Sequence, residues 1–170
     1  MEGNLKDQHV AIGRRFKSYC RWAGMKEIKM TTGQIIKIDD VDFGWINKHK
    51  WSICKGYAKR RFKNTILYLH KAIMNSPLGM KVDHINHDIL DNRRSNLRIC
   101  TQSQNQWNQK PRGKYKGISW SKRDKIWKVA IGAHGKRYYL GNFKTDIEAA
   151  MAYNEVAKRL HGEFAYLNKI

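Results

Sequence analysis

Hydrophobic and polar positions fall into two differently patterned stretches. The C-terminal one is the more regular. Trp127, Val129 and Ile131 alternate with Lys128, Ala130 and Gly132, which predicts a strand with one apolar face. Three strands are expected, over Tyr115 to Trp120, Ile126 to Ala133 and Lys136 to Phe143, with His134-Gly135 turning the second hairpin. A helix follows. Thr145 and Glu148 form a capping box, Ala149, Tyr153, Val156 and Leu160 form an apolar stripe, and Gly162 marks the stop. Ala149, Ala150 and Ala152 permit close approach to the sheet, so this part reads as a three-stranded antiparallel sheet backed by one helix.

Upstream the elements are shorter. Gln34 to Ile38 reads as a strand, Asp39-Asp40 as a turn and Val41 to His49 as a short helix. Trp51 to Cys54 and Tyr57 to Phe62 pair around Lys55-Gly56, and Thr65 to Leu69 follows as a further strand. His70 to Met74 reads as helical and stops before Pro77 and Gly79. Lys81 to His84 and Leu97 to Thr101 are short β segments flanking a polar loop, and Gln102 to Gln109 is a helix. Ala11 to Met25 fits either a helix, with Phe16, Tyr19, Cys20 and Ala23 on one stripe, or a basic arm. Lys110 to Lys114 has linker composition. The expected domains are an arm or helix over 1–29, a mixed domain over 30–112 and the sheet–helix module over 113–170. The fold class is α+β. No internal repeat is evident.

Composition narrows the partners. Lys and Arg number 34 against 14 Asp and Glu, a formal net charge of +20. A field of that sign attracts nucleic acid or an anionic membrane. No apolar run approaches the roughly 18 residues of a spanning helix and there is no signal-peptide pattern, so membrane is the weaker reading and a cytoplasmic setting is expected. A structural RNA binder explains the charge alone. Cys20, Cys54 and Cys100 are isolated and form no C-x-x-C, which argues against a cysteine zinc site and suits a reducing compartment.

The chemistry concentrates in one run: Val82-Asp83-His84-Ile85-Asn86, then Asp91 to Arg98, then Asn105 and Asn108. Phosphodiester hydrolysis needs a nucleophile, a divalent ion for the developing charge, and fixed geometry. His84 can take a proton from water, because imidazole titrates near neutrality. Asp83 offers a hard oxygen to Mg²⁺ or Mn²⁺, and Asn105 a second, neutral one from the following helix. Mg²⁺ needs only one or two protein ligands. Neighbouring strand residues point to opposite sides, so the loop after His84 must turn its ring toward the metal side. Asn96 suits the holding of that loop because its amide both donates and accepts. Asn86, Asp91 and Asn92 serve turn geometry. His70 reads as a packing or DNA-contacting residue, His87 as solvated, and Asn108 as structural or phosphate-contacting.

Leu69-His70, Val82 to Asn86, Leu90 to Arg93, Asn96 to Arg98 and Asn105/Asn108 resemble the HNH homing endonucleases of phages and mobile elements, in the branch whose final His is Asn. The resemblance covers roughly Lys29 to Gln109. It implies a ββα-metal nuclease domain, with His84 as base, Asn96 as the loop-orienting residue, and Asp83 and Asn105 as metal ligands.

Residues 115–168 resemble the Apetala/ethylene-response-factor (ERF) type of DNA-binding domain. The matching residues are Tyr115 to Ile118, Trp127, Arg137 to Phe143, Glu148 to Ala150, Ala152 to Asn154 and Leu167-Asn168. That resemblance implies that the open sheet face enters the major groove, with Lys116, Ser119, Ser121, Lys128, Arg137 and Tyr139 facing DNA. Ser119 and Ser121 stand about where plant members use Arg on guanine, which weakens any transfer of their target sequence.

The combined expectation is a sequence-targeted, Mg²⁺- or Mn²⁺-dependent DNA endonuclease of homing type. It would act as a monomer on double-stranded DNA, need no small-molecule cofactor or membrane, and work in the host cytosol if phage-encoded. The alternative is a non-catalytic DNA-binding regulator on a decayed nuclease fold.

Overall fold

The computed structural model describes residues 24–170. The possible helix or arm in 1–29 lies outside them up to residue 23. The described residues are α+β, and they divide into two compact units. One comprises residues 24–76 and 84–98, the other 77–83 and 99–170. This division differs from the expected boundary after residue 112: it passes between Asp83 and His84 and groups residues 99–112 with the sheet–helix module.

In the first unit, β1 (Met25–Lys29) pairs antiparallel with β2 (Ile35–Asp39), from Met25 opposite Asp39 to Lys29 opposite Ile35. The sequence pattern had not shown β1, since only Ile28 along it is even partly covered. Helix α1 (Asp40–Ile46) starts at the expected turn, with Asp39 as its N-cap. Strands β3 (Ser52–Cys54), β4 (Tyr57–Phe62) and β5 (Thr65–Tyr68) form a three-stranded meander, followed by α2 (Leu69–Met74). Ile36, Ile38, Ile46, Ala58, Leu69, Ile73 and Leu97 are buried and form its apolar interior.

β6 (Lys81–His84) and β7 (Leu97–Cys100) make a two-stranded sheet, with a 3₁₀ turn at Arg94–Asn96 before β7. Helix α3 (Gln102–Asn108) opens on a reciprocal cap. Thr101 Oγ1 accepts from the Gln104 N–H at 3.2 Å, and Gln104 Oε1 accepts from the Thr101 N–H at 2.8 Å.

The rest of the second unit holds β8 (Ile118–Ser121), β9 (Ile126–Ala133) and β10 (Lys136–Phe143), antiparallel in the order β10-β9-β8, and α4 (Asp146–His161). Thr145 and Glu148 form the capping box. The buried face of α4 is Ala149, Tyr153, Ala157 and His161, centred slightly away from the Val156–Leu160 stripe. Small Ala side chains let the helix settle onto Val129 and Ile131, while Val156 and Leu160 pack at the flank. Gly117 is required here. Its φ is +74°, and a Cβ would lie 2.2 Å from the Tyr153 ring and 2.7 Å from the Ala130 carbonyl oxygen. Burial pushes the Tyr153 hydroxyl up to about 12. Among the described residues Cys54 and Cys100 form no disulfide, and no helix is long and apolar enough to cross a membrane.

Candidate active site and nucleic-acid interface

The loop between β6 and β7 is built by its polar side chains. Asn86 Oδ1 accepts from the Asp88 N–H at 2.8 Å, and Asp88 Oδ1 accepts from the Leu90 N–H at 3.1 Å, two successive Asx turns. Asp91 is 1% exposed and charged, so it needs compensation. Arg93 supplies it with two parallel bonds of 2.7 and 2.6 Å, and Asn86 Nδ2 adds a third at 2.9 Å. Those bonds, Arg93 foremost, hold the Asp91 carboxyl below its ordinary range.

Asn96 closes the loop. Its Oδ1 accepts from the Asn86 N–H at 2.9 Å and its Nδ2 donates to the Asp91 carbonyl at 2.8 Å. One buried amide thus satisfies backbone groups at both ends of the turn. The loop is also strapped to β2: the Lys37 N–H donates to the Leu90 carbonyl at 2.9 Å, and the Asn92 N–H to the Lys37 carbonyl at 2.8 Å. Arg94 fixes the 3₁₀ turn through two bonds of 2.8 Å to the buried Asp42 carboxylate, while its N–H donates to Asp39 Oδ2 at 2.8 Å.

Within this unit His84 is 5% exposed. Its Nε2 lies 3.4 Å from Asn92 Oδ1. Asn92 Nδ2 donates to the Leu90 carbonyl at 3.1 Å, which fixes Oδ1 as the end facing the imidazole. The tautomer that satisfies this contact carries its proton on Nε2. Asn92, expected to serve only the turn, thus also faces the imidazole. His70 meets the His84 ring edge-on at a centroid distance of 5.3 Å, with Tyr57 and Tyr68 against His70 at 5.4 and 5.7 Å. Burial first, then the neighbouring His84, pushes His70 down to about 3. His70 is packed among these rings, the first of the two roles expected for it. His87, expected in solvent, is half-buried at φ 65°.

In the second unit Asp83 is 7% exposed, and Asn108 Nδ2 donates to its two carboxylate oxygens at 3.1 and 2.9 Å. The helix residue that meets Asp83 is therefore Asn108. Asn105 lies one turn earlier on α3 and is half-buried. Residues three apart share a helical face, so Asn108 orients the carboxylate on the face that also carries Asn105. The carboxylate of Asp83 and the side-chain amide of Asn105 offer hard oxygen donors, which suit Mg²⁺ or Mn²⁺. Among the described residues no group of three or more His, Cys, Asp or Glu is placed to hold a metal ion.

The register of the C-terminal sheet places Ser119 opposite Lys128, Arg137 opposite Gly132 and Tyr139 opposite Ala130. Val129, Ile131 and Ala133 are buried, so the intervening positions form the open face. Ser119, Ser121, Lys128, Arg137 and Tyr139 share it. Arg137 and Tyr139 are exposed, and Tyr139 bonds Asn142. Lys128 and Ser121 bind Asp124 at 2.7 and 2.9 Å, which with Arg123 pulls that carboxyl down to about 2. Lys116 departs from the expected set. Its ammonium donates to the carbonyls of Gln106, Trp107 and Gln109 at 2.9, 2.6 and 2.8 Å, and burial lowers it to about 8. The open carbonyls at the end of α3 hold it.

Comparison with known proteins meets the same residues. A family model described as HNH endonuclease matches residues 75–107. An uncharacterized HNH endonuclease, L560 of Acanthamoeba polyphaga mimivirus, is 32% identical over 131 residues, covering 74% of this chain and 70% of that protein. The chain belongs to the HNH endonuclease family. Protein 3.8 of Escherichia phage T7 is 36% identical over 95 residues, 52% of this chain and 76% of that protein. No solved structure matches the chain. The HNH match contains Asp83, His84, Asn96 and Asn105 and ends one residue before Asn108.

Proposed function

We propose that this HNH protein is a sequence-targeted, divalent-metal-dependent DNA endonuclease of homing type, whose C-terminal module is an ERF-type DNA reader. The observation that carries the reading is the treatment of two consecutive residues of β6. Asp83 has its carboxylate oriented by Asn108, and His84 has its Nε2 facing Asn92 Oδ1, inside a loop pinned by Asn96.

Asp83 and Asn105 would hold a Mg²⁺ or Mn²⁺ ion, which when bound stabilises charge on the phosphate and leaving oxygens. Asn108 keeps the Asp83 carboxylate from rotating away. His84 accepts a proton from water as the water oxygen bonds to phosphorus, and the P–O bond to the leaving strand breaks. Asn92 stabilises the resulting imidazolium, since its Oδ1 already faces Nε2. Arg137, Tyr139 and Ser119 contact DNA from the open sheet face. Phosphate contacts around the metal position the duplex and specify little, so sequence reading falls to the sheet.

The test is nicking of supercoiled plasmid across a Mg²⁺ titration. Asp83→Ala and Asn105→Ala each raise the Mg²⁺ concentration for half-maximal rate, Asp83→Ala more because it removes the charged ligand. Metal-free DNA binding stays within about twofold. Wild-type metal demand in both variants would remove these residues from the metal site.

A further inference from the structure

The run at Lys110 to Lys114 looks like a tether between nuclease and reader. Contacts within the second unit make it something else. Trp107, in the last turn of α3, stacks on His161 at 4.4 Å between centroids and 7° between planes. Its edge meets His134, in the β9–β10 turn, at 5.8 Å. The Trp107 carbonyl accepts from the Tyr166 N–H at 3.1 Å and from Lys116 Nζ. Lys116 gathers three carbonyls at the end of α3. It is itself anchored on the reader: its N–H donates to Asn168 Oδ1 at 2.7 Å, and its carbonyl accepts from Asn168 Nδ2 at 3.2 Å. Asn168 is tied in turn to Asn154 of α4, in both directions, at 2.7 and 2.9 Å. His161 Nε2 bonds the Gly132 carbonyl of β9 at 2.8 Å. The helix that carries Asn105 and Asn108 is thereby stacked, capped and hydrogen-bonded onto the reading sheet and its helix.

We propose that Trp107, Lys116 and His161 are positioning residues that make α3 and the reading sheet one body, so that the cut falls at one fixed distance from the bases read. This rests on the nuclease-and-reader assignment above. The Lys110–Lys114 run then sets no distance. A five-residue flexible tether would have an end-to-end spread of about 12 Å, which smears cuts over about 3–4 base pairs at about 3.4 Å per step. Packing removes that spread.

Two measurements on the full chain decide this. First, a pool of random-sequence duplexes is cut in Mg²⁺, and the spacing between the enriched motif and the cut is read from sequenced ends. The wild type gives one spacing per strand. Eight Gly/Ser residues inserted after Pro111 leave it unchanged, because contacts rather than chain length set it. The same insertion with Trp107→Ala and Lys116→Met spreads the cuts over several base pairs. Second, amide hydrogen exchange is followed without metal or DNA. Residues 105–109 share the protection of α4 in the wild type. Lys116→Met alone speeds their exchange by about tenfold or more and leaves α4 unaffected.

Cuts that spread with the insertion alone, or residues 105–109 that exchange equally in wild type and Lys116→Met, overturn the proposal. A pool with no enriched motif counts against the reader assignment instead, while the exchange result still decides whether α3 and the sheet are one body.

Discussion

Asn96→Ala removes one side chain and two backbone contacts. Oδ1 is the acceptor for the Asn86 N–H, and Nδ2 is a donor to the Asp91 carbonyl, at 2.9 and 2.8 Å. Asn96 is 6% exposed and Asp91 1%. Each backbone group left without a partner costs about 1–3 kcal/mol, so the variant should lose about 2–6 kcal/mol in the unit that contains the loop. Asn96→Asp is the sharper comparison. It keeps an acceptor for the Asn86 N–H but places a carboxylate oxygen against the Asp91 carbonyl where a donor stood. It should destabilise at least as much as Ala, despite near-identical shape. Equilibrium urea unfolding gives the total. With a slope of about 2 kcal/mol per M, the midpoint should fall by about 1–3 M. Hydrogen exchange at the Asn86 amide localises the loss, because two compact units need not open together. Midpoints within about 0.3 M of wild type in both variants, with Asn86 still protected, would refute the argument that this amide holds the loop.

Other consequences reach further along the chain. His70 is held near 3 against an ordinary value of 6.5, so between those values the unfolded chain binds more protons than the folded one. The stability this histidine permits is present above about pH 6.5 and is lost as pH falls toward 3, by about 2 kcal/mol at pH 5. His70→Phe should flatten that part of the profile in urea unfolding at pH 5 and 7; an unchanged slope would show that His70 is not the group responsible. Arg137→Ala should cost about 1–3 kcal/mol on the preferred site and less on random duplex if it reads a base. Equal losses on both would make it a phosphate contact. Neutralisation of about 8 phosphates by the full chain gives log K against log salt a slope of about −7, measurable by fluorescence anisotropy.

The C-terminal module was legible because each level of its sequence agrees with the next. Alternation at Trp127 to Gly132, the His134-Gly135 turn and the Thr145/Glu148 box set β9, β10 and α4 with little ambiguity. Strand β1 was hidden because almost nothing along it is buried; its evidence is backbone pairing with β2. In the site, Asp83, His84 and Asn96 were readable because their chemistry and spacing are unusual. Asn92 as partner of His84, and Asn108 as partner of Asp83, depend on how a loop and a helix fold back. The Asp42–Arg94 pair spans 52 residues and leaves no local trace. Lys116 was hardest to read. Its partners are main-chain carbonyls, which every residue carries, so a buried cap looked the same as a DNA-facing lysine.

Charge, fold and family membership all fit a protein that touches DNA; hydrolysis is the claim that needs the most direct test. Nicking of supercoiled plasmid should be compared under single turnover for wild type and His84→Ala, each in Mg²⁺ and in EDTA, with binding followed in parallel by gel shift. The account predicts wild-type nicking only with Mg²⁺, a rate about 10²–10⁴-fold lower for His84→Ala, and DNA affinity within about twofold. Undiminished nicking by His84→Ala, or by wild type in EDTA, would contradict it, and full binding with no wild-type nicking at all would leave a DNA-binding regulator on a nuclease fold.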